Sequence, residues 1–282
     1  MAASLLPKSY RSTTKPTWCP GCGDFAVLEA TTRALAALQL EPHRVAVVSG
    51  IGCSSRFPIF LNAYGFHGVH GRVLPIATGL KLANPQLTVL AVGGDGDGLA
   101  IGAGHFPHAA RRNPDITYIM MDNAIYGLTK GQVSPTSRLK HVTSTTPRGN
   151  VDRPLNPVAM AIAAGASFVA QGVSSAVEEL AGLIRQGIEH RGFAFVHVLS
   201  PCPTFNNTYT QVKSLAAPLP EGYDPTDPVQ AFELSLARDK IYTGVIYREP
   251  ETISYEERLA EVTPGAIQDH REYVRRLIEA YR

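Results

Sequence analysis

Hydrophobic residues along this chain follow two alternating spacings. Residues 24–40 place apolar side chains at helical intervals, which predicts an amphipathic helix, whereas residues 44–49 form a β-branched run that predicts a buried strand. The alternation continues and predicts helices over residues 74–82, 99–112, 158–166 and 176–189, with strands over residues 87–92, 116–121, 168–170 and 193–199. Ser174 or Ser175 is the predicted N-cap of the last helix. Strands alternating with helices predict an α/β fold, a mostly parallel sheet with helices on both faces.

The pattern changes after residue 199. Residues 216–228 carry four prolines and predict an extended connection. Residues 228–282 are more charged and predict three short helices, with a strand-like run at residues 242–247. We therefore expect an N-terminal tail (1–15), an α/β domain (16–212) and a C-terminal extension or arm (213–282).

Composition narrows the class of protein. The 282 residues are 44% hydrophobic and 18% charged, as in soluble globular proteins. Lys and Arg number 26 against 24 Asp and Glu, with no basic run, which disfavours nucleic acid or an anionic membrane as a partner. No apolar stretch reaches the roughly 18 residues that span a bilayer, and the N-terminus lacks a signal-peptide core. A cytoplasmic enzyme without membrane contact is the expectation.

A glycine-rich turn, residues 93–98, directly follows the predicted strand 87–92. It contains Asp95, and Asn123 ends the next predicted strand 28 residues later. Ligands of parallel sheets gather at the carboxyl ends of the strands, where glycines let a phosphate approach the backbone. Carboxylate and amide oxygens there suit Mg²⁺. Gly-Asp-Gly also occurs in ordinary turns, but with Asn123 at this spacing the sequence favours a Mg²⁺–diphosphate site.

The four cysteines lie in loops rich in glycine or proline. Cys19 and Cys22 form a C-x-x-C turn, and Cys53 and Cys202 are far from it along the chain. Four thiolates satisfy one soft metal centre, either zinc or iron–sulfur. A thioredoxin-like redox pair and inert thiols are the other interpretations, although loop placement argues against inert buried thiols. Residue types alone do not choose between zinc and iron–sulfur.

Six motifs occur together in one order: residues 18–23 (Trp-Cys-Pro-Gly-Cys-Gly), 50–56 (Gly-Ile-Gly-Cys-Ser-Ser-Arg), 70–72 with 77–85, 94–98 (Gly-Asp-Gly-Asp-Gly), 122–132 and 201–206. In order and spacing they resemble the β subunit of 2-oxoacid:ferredoxin oxidoreductases. The resemblance is dense over residues 16–136 and extends by motif over residues 193–210.

The resemblance implies a thiamine diphosphate-binding fold that holds thiamine diphosphate, Mg²⁺ and one [4Fe–4S] cluster. It assigns the cluster to Cys19, Cys22, Cys53 and Cys202. It assigns Mg²⁺ to Asp95, Asn123 and the backbone carbonyl of Ile125. The implied thiamine diphosphate contacts are Ile51, Gly52, Cys53, Ser54, His70, Gly94, Gly96, Asp97, Gly127 and Leu128. Leu128 is equally interpreted as an ordinary loop-packing residue.

The resemblance also implies a reaction. Members of the family carry out the reversible, coenzyme A-dependent oxidative decarboxylation of a 2-oxoacid and pass electrons through the cluster to ferredoxin. The glutamate that activates thiamine diphosphate comes from the α subunit, so this chain is expected to be inactive alone. Glu29 resembles no such motif.

Arg56 is the residue that bears on substrate choice. It follows Cys53 by three residues, and a guanidinium there suits a second carboxylate, which favours 2-oxoglutarate over pyruvate. A surface or subunit-interface charge is the alternative interpretation of Arg56. Lys130 and His70 are further polar candidates, and His70 is equally interpreted as a satisfied histidine at a helix start.

Three other functions remain possible from the residues. One is a pyruvate or broad-range 2-oxoacid:ferredoxin oxidoreductase. Another is a non-redox thiamine diphosphate decarboxylase whose cysteines hold structural zinc. The last is a purely electron-carrying iron–sulfur module in which Gly-Asp-Gly is only a turn.

Overall fold

The computed structural model describes residues 4–262 and 270–281 of the chain. Its strands are β1 (Val45–Ser49), β2 (Tyr64–His67), β3 (Thr88–Gly94), β4 (Ile116–Asp122), β5 (Phe168–Val173), β6 (Phe193–Leu199), β7 (Ala216–Pro218) and β8 (Ile241–Arg248). Its helices are α1 (Asp24–Ala37), α2 (Phe57–Phe60), α3 (Val73–Ala83), α4 (Asp95–Leu99), α5 (Phe106–Arg112), α6 (Pro157–Ala163), α7 (Val177–Glu189), α8 (Tyr209–Leu215), α9 (Pro228–Ser235), α10 (Tyr255–Val262) and α11 (His270–Ala280).

The strands form one sheet in the order β2-β1-β3-β4-β6-β5-β8-β7. Every neighbouring pair is parallel except β5 and β8, which run antiparallel with a register shift between Val169 and Ala170. The predicted α/β class with a mostly parallel sheet is confirmed.

Two hydrophobic cores cover the two faces of the sheet, because successive strand residues point to opposite faces. Val47, Ile119 and Val196 pack on one side with α1 and α7, whereas Val48, Tyr118 and Phe195 pack on the other with α3, α5 and α6. Burying a large apolar side chain contributes roughly 2 kcal/mol. The near-continuous apolar runs of the central strands follow from burial on both faces.

Two local predictions are wrong. The helix expected over residues 99–112 is divided into α4 and α5 by a turn, and α4 already begins at Asp95. Gly102 and Gly104 lie in the turn between the two helices and explain the break, because glycine is costly inside a helix. The N-cap of α7 is Ala176, which makes no side-chain cap, and not Ser174 or Ser175.

Residues beyond 212 join the same sheet. β8 pairs with β5 and β7 pairs with β8, while α9, α10 and α11 are the three short helices that the sequence predicts. The division of the chain near residue 212 stays a prediction. Among the helices of the described residues, none is long and apolar enough to cross a bilayer.

Candidate active site

A cavity of about 560 Å³ opens at the carboxyl ends of β1, β3 and β4. Its lining consists of Ile51, Gly52, Cys53, Ser54, His70, Gly94, Asp95, Gly96, Asp97, Asn123, Ile125, Tyr126, Gly127, Leu128, Thr129 and Gln132. Every residue predicted to contact thiamine diphosphate or Mg²⁺ is in this set. A volume of this size suits an organic cofactor.

Strand order explains why these distant segments meet. β1, β3 and β4 are adjacent and parallel, so the segments after Ser49, Gly94 and Asp122, of which the second is α4, leave the sheet at the same edge. That edge is where open α/β sheets bind their ligands. Residues of these segments, together with His70 before α3, therefore surround one space although they are far apart along the chain.

Asp95 begins α4 and is 2% exposed. Its Oδ2 lies 2.7 Å from Thr136 Oγ1, which is also 2.8 Å from Asp122 Oδ1. Burial and the nearby Asp122 carboxylate raise the pKa of Asp95 above its usual range. Asn123 follows on the neighbouring strand end and lines the same cavity. Two buried carboxylates beside an amide form a donor set that fits a hard divalent cation such as Mg²⁺.

The Asp97 side chain is turned towards the backbone. Its Oδ1 accepts the N–H of Ile51 at 2.9 Å and the N–H of Gly71 at 2.8 Å. His70 Nδ1 also lies 2.9 Å from Oδ1, although it is not aligned for a hydrogen bond. Asp97 therefore ties the loops after β1 and before α3 to α4. Its predicted contact with the diphosphate remains a prediction.

Gly96 and Tyr126 approach each other closely. The Tyr126 hydroxyl donates to the carbonyl oxygen of Gly96 at 3.0 Å, and a Cβ at residue 96 would collide with the Tyr126 ring. The loop after β4 folds back on itself, because the N–H of Tyr126 donates to the carbonyl of Gln132 at 2.9 Å. This turn brings Tyr126, Thr129 and Gln132 to the cavity.

The cysteine loops lie directly behind one wall of the cavity. A Cβ placed on Gly127 would lie 3.4 Å from Cys53 Sγ and 3.8 Å from Cys202 Sγ. The C-x-x-C loop is held to the Cys202 loop, since the N–H of Gly23 donates to the carbonyl of Pro201 at 3.2 Å. Cys53 itself lines the cavity, so the cofactor space and the cysteine set share one residue.

The thiols interact electrostatically. Burial, then the Asp24 carboxylate and other cysteines, raise the pKa of Cys53 to about 11, and the pKa of Cys22 is also raised. Yet no three Cys, His, Asp or Glu side chains of the described residues converge as a single metal ion requires. The four thiols come from three loops, and thiolates are ligands that iron–sulfur clusters and zinc share, so the residues present fit the predicted cluster by their chemistry.

The two basic candidates lie outside the cavity lining. Arg56 ends the turn Ser54–Arg56 and is half-buried. It lies near enough to Cys53 for its positive charge to lower the pKa of that thiol, against the larger effect of burial. Lys130 is exposed, with a φ of 77°. Glu29 is paired with Arg33 at 2.7 Å and with Arg11 on the surface of α1. Among the cavity-lining residues that the structure describes, there is no glutamate.

The residues that sequence reasoning missed belong mostly to one loop. Tyr126, Thr129 and Gln132 line the cavity, and Thr136 contacts Asp95. Tyr126, Thr129 and Gln132 lie inside the motif at residues 122–132, so that motif was the available signal. No comparable signal marks Thr136, because its contact with Asp95 depends on how the loop folds back.

Comparisons with known protein families agree with this architecture. Residues 50–198 match the family described as "Thiamine pyrophosphate enzyme, C-terminal TPP binding domain". Residues 202–263 match the family that describes the C-terminal part of the pyruvate ferredoxin oxidoreductase beta subunit. The first match begins directly after β1 and covers β3, β4 and the segments that line the cavity.

Individual proteins are similar over most of the chain. The chain is 42% identical over 279 residues to subunit beta of 2-oxoacid:ferredoxin oxidoreductase 2 from Aeropyrum pernix, covering 94% of this chain and 90% of that protein. It is 48% identical over 200 residues to a 2-oxoglutarate oxidoreductase subunit from Mycobacterium tuberculosis, covering 71% of this chain and 54% of that subunit. The solved structure of a 2-oxoglutarate:ferredoxin oxidoreductase from Magnetococcus marinus, with 2-oxoglutarate, coenzyme A and succinyl-CoA bound, matches with a TM-score of 0.93 at 42% identity. That match covers 97% of this chain and 96% of the other.

Proposed function

Because the chain belongs to the β subunits of the 2-oxoacid:ferredoxin oxidoreductases, we propose that it acts with an α subunit on 2-oxoglutarate. The reaction consumes 2-oxoglutarate and coenzyme A and releases succinyl-CoA, CO₂ and a proton, while two electrons pass to ferredoxin. We also propose a cytoplasmic location. The observation that carries the proposal is one cavity that gathers every predicted thiamine diphosphate and Mg²⁺ residue and shares Cys53 with the cysteine set.

Different residues of the cavity would bind Mg²⁺ and position the loops around the cofactor. Asp95, Asn123 and the carbonyl of Ile125 would hold Mg²⁺, which neutralises the diphosphate. Asp97 fixes the loops at Ile51 and Gly71 through two hydrogen bonds, and so keeps the cavity walls in place. Thiamine diphosphate, when bound, supplies the electron sink for decarboxylation.

The cysteines would hold one [4Fe–4S] cluster that accepts electrons singly. Cys53 and Cys202 lie against Gly127, which lines the cavity, so no further residue has to relay electrons across this wall. Short separation favours transfer from the cofactor to the cluster. Ferredoxin is the proposed acceptor beyond it.

The α subunit is expected to complete the site. Activation of thiamine diphosphate in this family needs a glutamate at the aminopyrimidine, and the described lining of the cavity includes Asp95 and Asp97 but no glutamate. Glu29 is committed to arginines on the surface of α1. We therefore propose that the partner supplies this group and that the isolated chain is inactive.

The choice of 2-oxoglutarate draws support from two of the similar proteins, whose names carry this substrate. Arg56 remains the proposed partner of its second carboxylate, although it lies outside the cavity lining, because its charge acts on Cys53, which lines the cavity. His70 and Lys130 remain the other polar candidates for substrate contact.

The test is anaerobic co-purification with the α subunit, followed by viologen reduction with coenzyme A and a series of 2-oxoacids. We expect the highest kcat/KM on 2-oxoglutarate, and about four irons per β chain. Higher kcat/KM on pyruvate would replace the substrate assignment. Stoichiometric zinc without iron would favour a non-redox decarboxylase, and failure to bind thiamine diphosphate would favour an electron carrier.

A further inference from the structure

Thr136 lies behind the candidate Mg²⁺ site, in the loop that follows β4. Its position is set by the loop itself, because the Ser137 hydroxyl donates to the carbonyl of Ala124 at 2.6 Å and accepts the N–H of Ser134 at 2.8 Å. Thr136 Oγ1 is thereby held between two carboxylates, 2.7 Å from Asp95 Oδ2 and 2.8 Å from Asp122 Oδ1.

One hydroxyl carries one proton and donates to only one of two carboxylates at a time. Asp122 has other partners: its Oδ1 accepts the N–H of Ala124 at 2.9 Å, and its Oδ2 lies 2.9 Å from His197 Nε2. His197 is oriented in turn, because its Nδ1 lies 3.0 Å from Gln171 Oε1 while the Gln171 amide donates to the carbonyl of Tyr242 at 2.8 Å. Asp122 therefore stays fixed without the hydroxyl. Asp95 has the Thr136 hydroxyl at 2.7 Å as its side-chain partner, and the Ser134 hydroxyl and the backbone N–H of Asn123 also lie close enough to lower its pKa.

We propose that Thr136 is a positioning residue that donates to Asp95 and orients its carboxylate for Mg²⁺. The inference rests on the Mg²⁺ site of the proposed function. The hydrogen-bonded series from Tyr242 through Gln171 and His197 holds the Asp122 carboxylate, which is the other acceptor within reach of the Thr136 hydroxyl. Groups that orient metal ligands in this way typically change metal affinity by about 10- to 100-fold when they are removed.

The experiment measures thiamine diphosphate binding to the complex of this chain with its α subunit, by calorimetry at a series of Mg²⁺ concentrations. Thr136→Val keeps the shape of the side chain and removes the hydroxyl. We expect it to raise the Mg²⁺ concentration for half-maximal binding about 10- to 100-fold. Thr136→Ser restores the hydroxyl and should return this concentration to within about threefold of the wild-type value.

The matched control is Thr226→Val. Its hydroxyl also donates to an aspartate, Asp224, at 2.7 Å, but on the exposed surface. This variant should bind thiamine diphosphate with the wild-type Mg²⁺ dependence. Circular dichroism and a thermal unfolding curve establish that each variant is folded, and Thr136→Ala replaces the valine variant if the latter does not fold.

Wild-type Mg²⁺ dependence in folded Thr136→Val or Thr136→Ala would overturn the inference. So would a serine variant that is as impaired as the valine variant, since the hydroxyl would then not be what matters. Asp95→Asn separates this failure from failure of the proposed site. If Asp95→Asn loses Mg²⁺-dependent binding while Thr136→Val does not, only the inference is wrong, whereas normal binding by Asp95→Asn removes the Mg²⁺ site itself.

Discussion

The two ends of the parallel sheet both bury polar side chains, and they differ in whether those side chains are paired. At the amino end, Asn113 is 6% exposed, and its side chain accepts from Ser167 and Phe193 and donates to Thr252 and Ile253. Ser167 also meets His190 Nε2 at 2.7 Å. Each of these polar atoms has a partner within the chain.

At the carboxyl end, some buried polar atoms are paired, as in Asp95 and Asp122, whereas several others lack such partners. Within residues 4–262 and 270–281, the buried side-chain atoms without a hydrogen bond belong to Asp24, Ser55, His70, Asp97, Tyr118, His141 and Ser174. Most of them lie around the cavity and the cysteine loops. An unpaired buried polar group costs about 1–3 kcal/mol, so such a concentration marks a region built to be completed by a ligand.

This difference teaches how to interpret buried polar residues. Ser167 and His190 are within hydrogen-bond distance, as a nucleophile and a base would be, yet both are almost fully buried and paired. Their network ties β5 and the start of β6 to the segment before α10, which is a structural task. Substitutions at the amino end should therefore cost stability, and those at the carboxyl end should cost ligand binding.

The largest effect is expected for Asp95→Asn. Loss of a charged ligand should weaken Mg²⁺-dependent thiamine diphosphate binding by more than about 100-fold. Without cofactor, the variant should unfold at the same or a higher urea concentration, because it removes one of two buried carboxylates that share a single hydroxyl. Calorimetry measures the loss of thiamine diphosphate binding, and urea unfolding measures the stability of the variant. A lower urea midpoint than that of the wild type would contradict the expected difference between the two ends of the sheet.

Asn113→Ala tests the amino end. The change leaves several buried partners unsatisfied and puts alanine at a φ of 60°, so we expect a loss of about 3 kcal/mol in the free energy of unfolding. Binding of thiamine diphosphate by the folded fraction should not change. Asn62→Ala is the control, because it removes one exposed hydrogen bond to the carbonyl of Ser9. Equal losses in both variants would show that the buried network contributes nothing.

His190, at the amino end of the sheet, should make the free energy of unfolding depend on pH. Burial and the nearby Arg248 charge lower the pKa of His190 to about 4. Since the unfolded chain binds that proton near pH 6.5, the contribution of the neutral histidine is complete above this value and is lost as pH falls towards 4. We expect a loss of about 1 kcal/mol near pH 5.5. Between pH 6.5 and 4, the urea midpoint of His190→Gln should fall less than that of the wild type. Equal falls in the two proteins would show that His190 is not the source of this pH dependence.

Glu29→Gln should have the smallest effect. Glu29 is paired with arginines on the surface of α1, and exposed ion pairs contribute about 0–1 kcal/mol. Viologen reduction by the complex should stay within about twofold of wild type. Loss of activity with unchanged protein stability would instead identify Glu29 as the acid that activates the cofactor, and the α subunit would not be needed for that group.

Much of the fold and of the candidate site is determined by local patterns. The apolar runs predicted β1, β3, β4 and β6 with errors of at most two residues at their ends. Because parallel strands end at one edge, residues that follow those strands, such as Asp95 and Asn123, were predicted to meet, and they line one cavity. The glycines and cysteines of the motifs could be predicted as site residues because they lie in the segments that follow these strands.

Tertiary structure decided what local patterns do not encode. The pairing of β8 with β5, the close approach of Gly96 to Tyr126 and the position of Thr136 between Asp95 and Asp122 all join residues far apart along the chain. Periodicity reports which face of an element is buried, but not which distant polar group will lie opposite it. Which buried groups are satisfied, and which are left for a ligand, depends on that packing.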